Sequence, residues 1–335
     1  MFNRFIGKVT RHLQSIPMIK QGIDQLTGSA HMQDFILKDF YERSMLLQGR
    51  MAANSFLKGK QINDLSEVEF RVFSQWGEDG IIDWLVKHVP VPTESFIEFG
   101  VETFREANCR FLLQNRNWKG LVMDGSEEYM RSLQAQQMFW MHDLTARPAF
   151  IDKDNINNHI EDAGFSGDLG ILSIDIDGND YWVWDAISCV DPAIVICEYN
   201  PILGDEHAIT VPYDPKFYRM DAHYCGLYFG ASIKALSVLA EKKGYTFVGS
   251  NSNGINAFFV RNNLVKHIEN VIKEYKSFPS RHRDSRDSEG NLSFTGGISR
   301  FDLISDQIVV DVKTGDEVAL SRLDQPYSES WLKYM

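Results

Sequence analysis

Residues 95–102 read Ser-Phe-Ile-Glu-Phe-Gly-Val-Glu, and residues 171–178 read Ile-Leu-Ser-Ile-Asp-Ile-Asp-Gly. Each is a short apolar run that ends in an acid and a glycine, the pattern of a buried strand opening into a ligand-facing turn. Between and after them the motif repeats. Gly120 to Asp124 and Ala193 to Glu198 are two more such runs, and Phe139 to His142 reads as a short strand before Asp143. Helical spacing fills the gaps over 73–89, 105–114, 127–137, 156–163 and 181–187. After an irregular stretch, 233–243 reads as a helix. Two apolar runs, 245–248 and 255–260, then flank Asn251-Ser252-Asn253-Gly254, where Asn-Gly is a strong hairpin signal. Five strand–helix units and a closing hairpin predict an α/β fold with a mostly parallel, doubly wound sheet and a terminal antiparallel hairpin.

Composition agrees with a soluble globular chain. Of 335 residues 44% are hydrophobic and 24% charged, and no apolar run is long enough to span a membrane. The net charge of −12 argues against wrapping nucleic acid. The four cysteines (Cys109, Cys189, Cys197, Cys225) form no C-x-x-C pair, which excludes a zinc knuckle and fits a reducing cytoplasm.

The spacing divides the chain into a helical segment over 1–60, a Rossmann-like domain over 61–275, and a loop-and-hairpin appendage over 276–335. Residues 31–70 read as further helix, running past the end of the first segment. Phe2, Phe5, Ile6, Val9, Leu13 and Ile16 make one stripe of a helix whose other face carries Arg4, Lys8 and Arg11. Such a helix suits an anionic inner-membrane surface, or docking on its own domain or a partner subunit of a homo-oligomer.

The acids at the strand ends carry the chemistry. A glycine at position 100 lets a ligand approach the backbone, and Glu98 before it suits an ammonium group. Asp124, with Gly125 and Ser126, suits the two hydroxyls of a ribose, because a carboxylate accepts both protons. Asp143, beside His142, would read an adenine amino group. A cationic amino acid joined to adenosine describes S-adenosylmethionine. A dinucleotide is the poorer fit, since Glu102 stands where the second glycine of G-x-G-x-x-G belongs.

Asp175 to Asp180 superficially resembles a calcium loop, but its glycine is fourth rather than sixth and its twelfth position is Ala186. Asp175 or Asp177 could instead meet Glu198 and Asn200 from the next strand around one hard cation such as Mg²⁺. The alternative is that Asp177 and Asp180 cap the next helix and Asn200 fixes a turn before Pro201. His207 and His223 lie where a substrate lid would sit, and either could act as a base. Tyr213, Phe217, Tyr218, Tyr224, Tyr228 and Phe229 could stack on a sugar or form the lid's core.

These stretches resemble the FkbM-type class I S-adenosylmethionine-dependent methyltransferases. The similar pieces are Ser74-Gln75-Trp76-Gly77-Glu78-Asp79-Gly80, Ile97 to Gly100, Asn117 to Gly125, Ser173 to Gly178, and Phe229-Gly230-Ala231-Ser232. They span roughly residues 70–262. The resemblance implies a Rossmann-like methyltransferase sheet and O-methylation of a sugar hydroxyl on a glycan or polysaccharide precursor. It implies cofactor contacts from Glu98, Gly100, Asp124 and Asp143, with Gln75, Glu78 and Asp79 nearby and Asp175 and Asp177 facing the acceptor. Glu102 and Asp177 depart from the family's usual residues. The sequence also admits two rival readings. One is a metal-dependent glycosyltransferase using Asp175-Ile176-Asp177, and the other is a non-enzymatic adaptor at a membrane surface.

Overall fold

The computed structural model describes residues 17–56 and 59–335, so the amphipathic pattern over 1–16 lies outside the described residues. The chain divides after Arg50 into two compact units. Helix α1, Pro17–Ser55, runs for 39 residues, and the helical expectation for 31–70 ends there. No described helix is long and apolar enough to cross a membrane.

The second unit is built on ten strands. They are β1 (Ser95–Phe99), β2 (Lys119–Asp124), β3 (Leu144–Pro148), β4 (Gly167–Ile174), β5 (Val190–Glu198), β6 (Ile209–Thr210), β7 (Tyr245–Ser250), β8 (Asn256–Arg261), β9 (Ile308–Asp311) and β10 (Glu317–Ala319). Seven form one sheet in the order β3-β2-β1-β4-β5-β8-β7, in which only β8 runs against its neighbours. The order reverses between β1 and β4, which puts a ligand crevice at their carboxyl ends. This is the mostly parallel, doubly wound, Rossmann-like sheet with a closing antiparallel hairpin that the sequence predicts. Strands β6, β9 and β10 make the small antiparallel sheet.

Helices cover both faces of the main sheet. On one lie α2 (Glu78–His88), α3 (Arg110–Arg116) and α4 (Glu127–Gln134). After the short helix α5 (Gln137–Met141), the other face takes α6 (Ile156–Asp162), α7 (Asp180–Ala186) and, beyond the short turn α8 (Arg219–Ala222), α9 (Ile233–Lys243). Strands β4 and β5 read as nearly continuous apolar runs because both their faces are buried.

Three boundaries differ from the sequence reading. Helix α2 starts at Glu78 rather than near Phe73, because the amides of Val72, Phe73 and Ser74 turn onto the Asp79 carboxylate instead of a helical ladder. Helix α3 starts at Arg110, not Arg105. The third strand is Leu144–Pro148 and not 139–142. The aromatic cluster that suggested the earlier strand lies on the short helix α5, with Trp140 74% exposed. The alternation that fits a pleat begins at Leu144 and Ala146, which are buried between half-exposed neighbours.

Candidate active site

Register brings the acids of β4 and β5 together. Ile174 pairs with Cys197, so Asp175 and Glu198 follow side by side where the two strands end. Asp177 joins them, and one carboxylate oxygen from each of Asp175, Asp177 and Glu198 lies within 4.8 Å of the others. The loop that makes this possible is held by Asp180, whose Oδ1 accepts the Ile176 amide at 2.9 Å and whose Oδ2 accepts that of Gly178 at 2.9 Å. Asp177 sits in the left-handed region, φ 56°, which turns its side chain back toward the strand ends instead of capping α7. Phe217 presses on Gly178 so closely that a β-carbon there would lie 2.1 Å from its ring.

The electrostatics of this cluster are unfavourable as it stands. Burial, then the charge of Asp177 and of Asp180, holds the Asp175 carboxyl well above the usual carboxylate range. Burial and the same neighbours, Asp175 first, push Glu198 up as well. Asp180 is pushed up to about 6, again mainly by burial. Glu198 Oε2 is buried and has no hydrogen-bond partner. A cation among these oxygens would remove the repulsion and satisfy that atom.

One positive side chain reaches the cluster. Arg219, on α8, donates from Nη1 to Asp177 Oδ1 at 2.6 Å. Its Nε and Nη2 donate to the Gly226 carbonyl at 3.0 and 2.7 Å, and the guanidinium lies 4.2 Å from the Phe229 ring centre. Asp284 approaches it at 3.6 Å from the C-terminal segment. Burial works against its charge, but Asp177 and Glu198 outweigh that and raise its pKa. A lone arginine in an irregular segment has no periodicity to mark it, so sequence reasoning missed it.

The turn after β1 is the second half of the site. Gly100, Glu102 and Phe104 all have left-handed backbones, with φ of 71°, 46° and 58°. The Glu102 amide donates to Asp124 Oδ2 at 2.8 Å, and the Ser126 amide to Oδ1 at 2.8 Å. Each Asp124 oxygen therefore keeps a lone pair for a diol. Ser126 itself caps α4, its hydroxyl accepting from the Tyr129 amide, while Gly125 lies against Phe150.

Several expected residues do something else. Glu98 does not face the crevice. Its two oxygens accept the amides of Asn108 (2.6 Å) and Cys109 (3.0 Å), and burial pushes its pKa up to about 7. Glu78 ties Asn251 (2.7 Å), Asn256 (3.0 Å) and the Trp76 amide to one carboxylate, which locks the hairpin turn. Asp79 gathers the three amides before α2, and burial raises it to about 6. Gln75 is exposed. Trp76, unremarked in the sequence as a donor, keeps a buried indole N–H without a partner and sets its ring 4.4 Å from that of His282.

Three corrections follow from geometry. Asp143 and His142 precede β3, and the Asp143 carbonyl bonds the amide of Gly120 at the start of β2, so both lie at the amino end of the sheet, away from Asp124. Asn200 is not available to a metal. Its Nδ2 donates to the carbonyls of Leu227 and Phe229, both at 2.9 Å, and its Oδ1 accepts from Ile202, fixing the turn before the lid segment. The His207 ring bonds the Asp324 carbonyl at 3.3 Å, and no contact to the carboxylates is among those described. His223 turns to Cys225 instead. The lid aromatics are mixed. Tyr228 and Phe229 are buried, while Tyr218 and Tyr224 are exposed.

No family model and no curated protein sequence matches the chain. Solved structures do resemble it. A S-adenosylmethionine-dependent methyltransferase from Clostridium acetobutylicum ATCC 824 is 10% identical over 55% of this chain and 90% of that one, with a TM-score of 0.34. The O-methyltransferase from Bacillus cereus in complex with SAH is 13% identical over 64% and 89%, at 0.36. The N-terminal domain of EvdMO1 with SAH bound is 11% identical over 65% and 94%, at 0.35. These likenesses are too distant to carry any residue's role across to this chain.

Proposed function

We propose that this chain is a S-adenosylmethionine-dependent O-methyltransferase of the FkbM type, acting on a sugar hydroxyl of a glycan or polysaccharide precursor with a divalent cation beside it. The observation that carries the reading is a contact. The turn after β1 lies directly on the carboxylate loop after β4, with Gly100 against the Asp175 carbonyl. A methyl donor seated on that turn and an acceptor held at the carboxylates would be neighbours, and in methyl transfer such positioning supplies much of the rate.

The residues present fit both groups. Asp124 retains one acceptor site per oxygen for the ribose diol, whereas the glycine at 100 is required by the Asp175 carbonyl packed against it and leaves no opening for a ligand on that side. Asp175, Asp177 and Glu198 form an all-oxygen set suited to Mg²⁺ or Ca²⁺. When bound, S-adenosylmethionine supplies the methyl group, and the cation lowers the pKa of the acceptor hydroxyl. Arg219 neutralises part of the acidic cluster and fixes Asp177. The segment 211–229, pinned by Trp182 Nε1 to Val211 and by Asn179 to Asp214, would close over the acceptor.

Calorimetry with S-adenosylhomocysteine, with and without Mg²⁺, tests the reading. Micromolar binding is expected. An absence of binding heat, with thermal stabilisation by UDP-sugars in its place, would replace methyl transfer with glycosyl transfer.

A further inference from the structure

We propose that α1 pairs with α1 of a second copy of this chain as a parallel, in-register two-stranded coiled coil. The helix runs for 39 residues, or about 58 Å, several times the length common in globular domains. It is not a membrane span. Yet its large apolar side chains stand in solvent, Phe40 at 63%, Tyr41 at 64% and Leu47 at 60% exposure. An exposed apolar stripe of this extent marks a surface that is covered by a partner.

The spacing says what covers it. Gln33, Leu37, Phe40, Ser44 and Leu47 follow one another by four, three, four and three residues, the a and d positions of a heptad. The same steps run back through the sequence to Ala30, Leu26, Ile23 and Ile19, so the repeat holds over four heptads. A flat lipid surface does not require a seam of period 3.5, whereas a second helix of the same period does.

Charge favours a second copy over an anionic membrane. Residues 17–50 carry Lys20, Lys38, Arg43 and Arg50 against Asp24, Asp34, Asp39 and Glu42, so 4 − 4 = 0, while the whole chain carries −12. Two such helices meet without net repulsion, and neither offers the basic face that anionic lipid selects. Arg43 is already paired within its own helix, 2.9 Å from Asp39.

Orientation follows from the flanking positions. In a parallel pair, each g residue meets the partner's e residue five places on. Ile36 then meets the partner's Tyr41, which seals the Leu37 and Phe40 layers with apolar contact on both sides. Ser44 and Gln33 each face their own copies, so the two polar layers fix the register. An antiparallel pair about the same centre would set Ile36 against the partner's Arg43.

Sedimentation of the full chain at micromolar concentration is expected to give twice the 38.4 kDa chain mass. The double substitution Phe40→Glu, Leu47→Glu should return it to a monomer, with the unfolding temperature of the sheet unit unchanged because both residues are exposed. In a second experiment, Ser44→Cys should cross-link between copies on mild oxidation, whereas Met45→Cys, one position off the seam, should not. Cys109, Cys197 and Cys225 are buried, and the partly exposed Cys189 is replaced by serine in both variants to keep the background low. A monomeric wild type, a dimer that survives the double substitution, equal cross-linking at 44 and 45, or a monomer that binds acidic vesicles through α1 would each overturn the proposal.

Discussion

A β-carbon on Gly100 would lie 1.6 Å from the carbonyl oxygen of Asp175. The turn that begins the first strand–helix connection is therefore packed on the loop that presents the carboxylates. Gly100 also has φ 71°, which glycine adopts without cost. Gly100→Ala should lower stability by about 3 kcal/mol or more, combining the left-handed penalty with a backbone overlap. Denaturant melts will show the loss, and binding of S-adenosylhomocysteine and of Mg²⁺ should weaken together. If only one of the two weakens, the halves of the site are not coupled in this way.

Glu102 occupies a left-handed position, φ 46°, two residues further on. A side chain there is held against its preference, and its amide is already engaged by Asp124. Glu102→Gly keeps that hydrogen bond and relieves the backbone, so stability should change by less than about 1 kcal/mol in either direction. Removing the carboxylate beside the crevice should leave cofactor affinity intact or improve it. A tenfold loss of affinity measured by calorimetry would instead make the Glu102 side chain a ligand contact.

Much of this fold is legible in the sequence because buried parallel strands are short apolar runs that end abruptly in polar residues. The runs at 96–99, 121–123, 171–174 and 193–197 needed no tertiary information. The third strand did. Phe139 and Trp140 look like a strand only until Trp140 is found in solvent, and the real strand, with Arg147 in it, has a weaker apolar signal. The same limit governs the site. The register of β4 on β5 places Asp175 beside Glu198, and a motif can suggest it. Nothing local distinguishes Asn200, spent on the carbonyls of Leu227 and Phe229, from a free ligand. Nor does the sequence announce that Arg219, 42 residues after Asp177, returns to it.

The two ends of the sheet give a sharp contrast between Asp124 and Asp143. Asp124 closes β2 at the crevice, and Asp143 precedes β3 at the opposite edge. Asp124→Asn should weaken S-adenosylhomocysteine binding about tenfold, since one good charge-assisted hydrogen bond is worth roughly 1.5–3 kcal/mol. Asp143→Asn should change it less than twofold. Equal losses in the two variants would contradict the crevice assignment.

Glu98 sets a pH dependence that can be worked out in sign. Burial raises its folded pKa to about 7 against an ordinary 4.5. The folded state therefore holds a proton that the unfolded chain has released. Its contribution is fully present below about pH 4.5 and is lost as pH rises through about 7, an effect on the order of 3 kcal/mol if the whole shift is realised. Asp79, raised to about 6, acts in the same direction. Thermal melts should lose stability between pH 5 and 8. Glu98→Gln should start from a less stable protein, because an amide oxygen cannot serve both Asn108 and Cys109, but its pH slope should be shallower. An unchanged slope would assign the effect to other groups.

Arg219 competes with a cation for Asp177. Its Nη1 sits 2.6 Å from the Asp177 oxygen, and the rest of the guanidinium is held by the Gly226 carbonyl and the Phe229 ring. Asp177 is more than half exposed, so solvent screens the pair and its full Coulomb energy is not at stake. Removing the arginine charge should still leave the three carboxylates less neutralised and more attractive to Mg²⁺. Arg219→Gln is expected to tighten Mg²⁺ binding about tenfold by calorimetry, which corresponds to roughly 1.4 kcal/mol. Glu198→Gln should weaken it by at least as much, since an amide cannot ionise to meet the cation as the carboxyl at that partnerless atom can. The two substitutions pull in opposite directions on one measurement. A common destabilisation of the loop would move both the same way, and only a cation held among Asp175, Asp177 and Glu198 separates them.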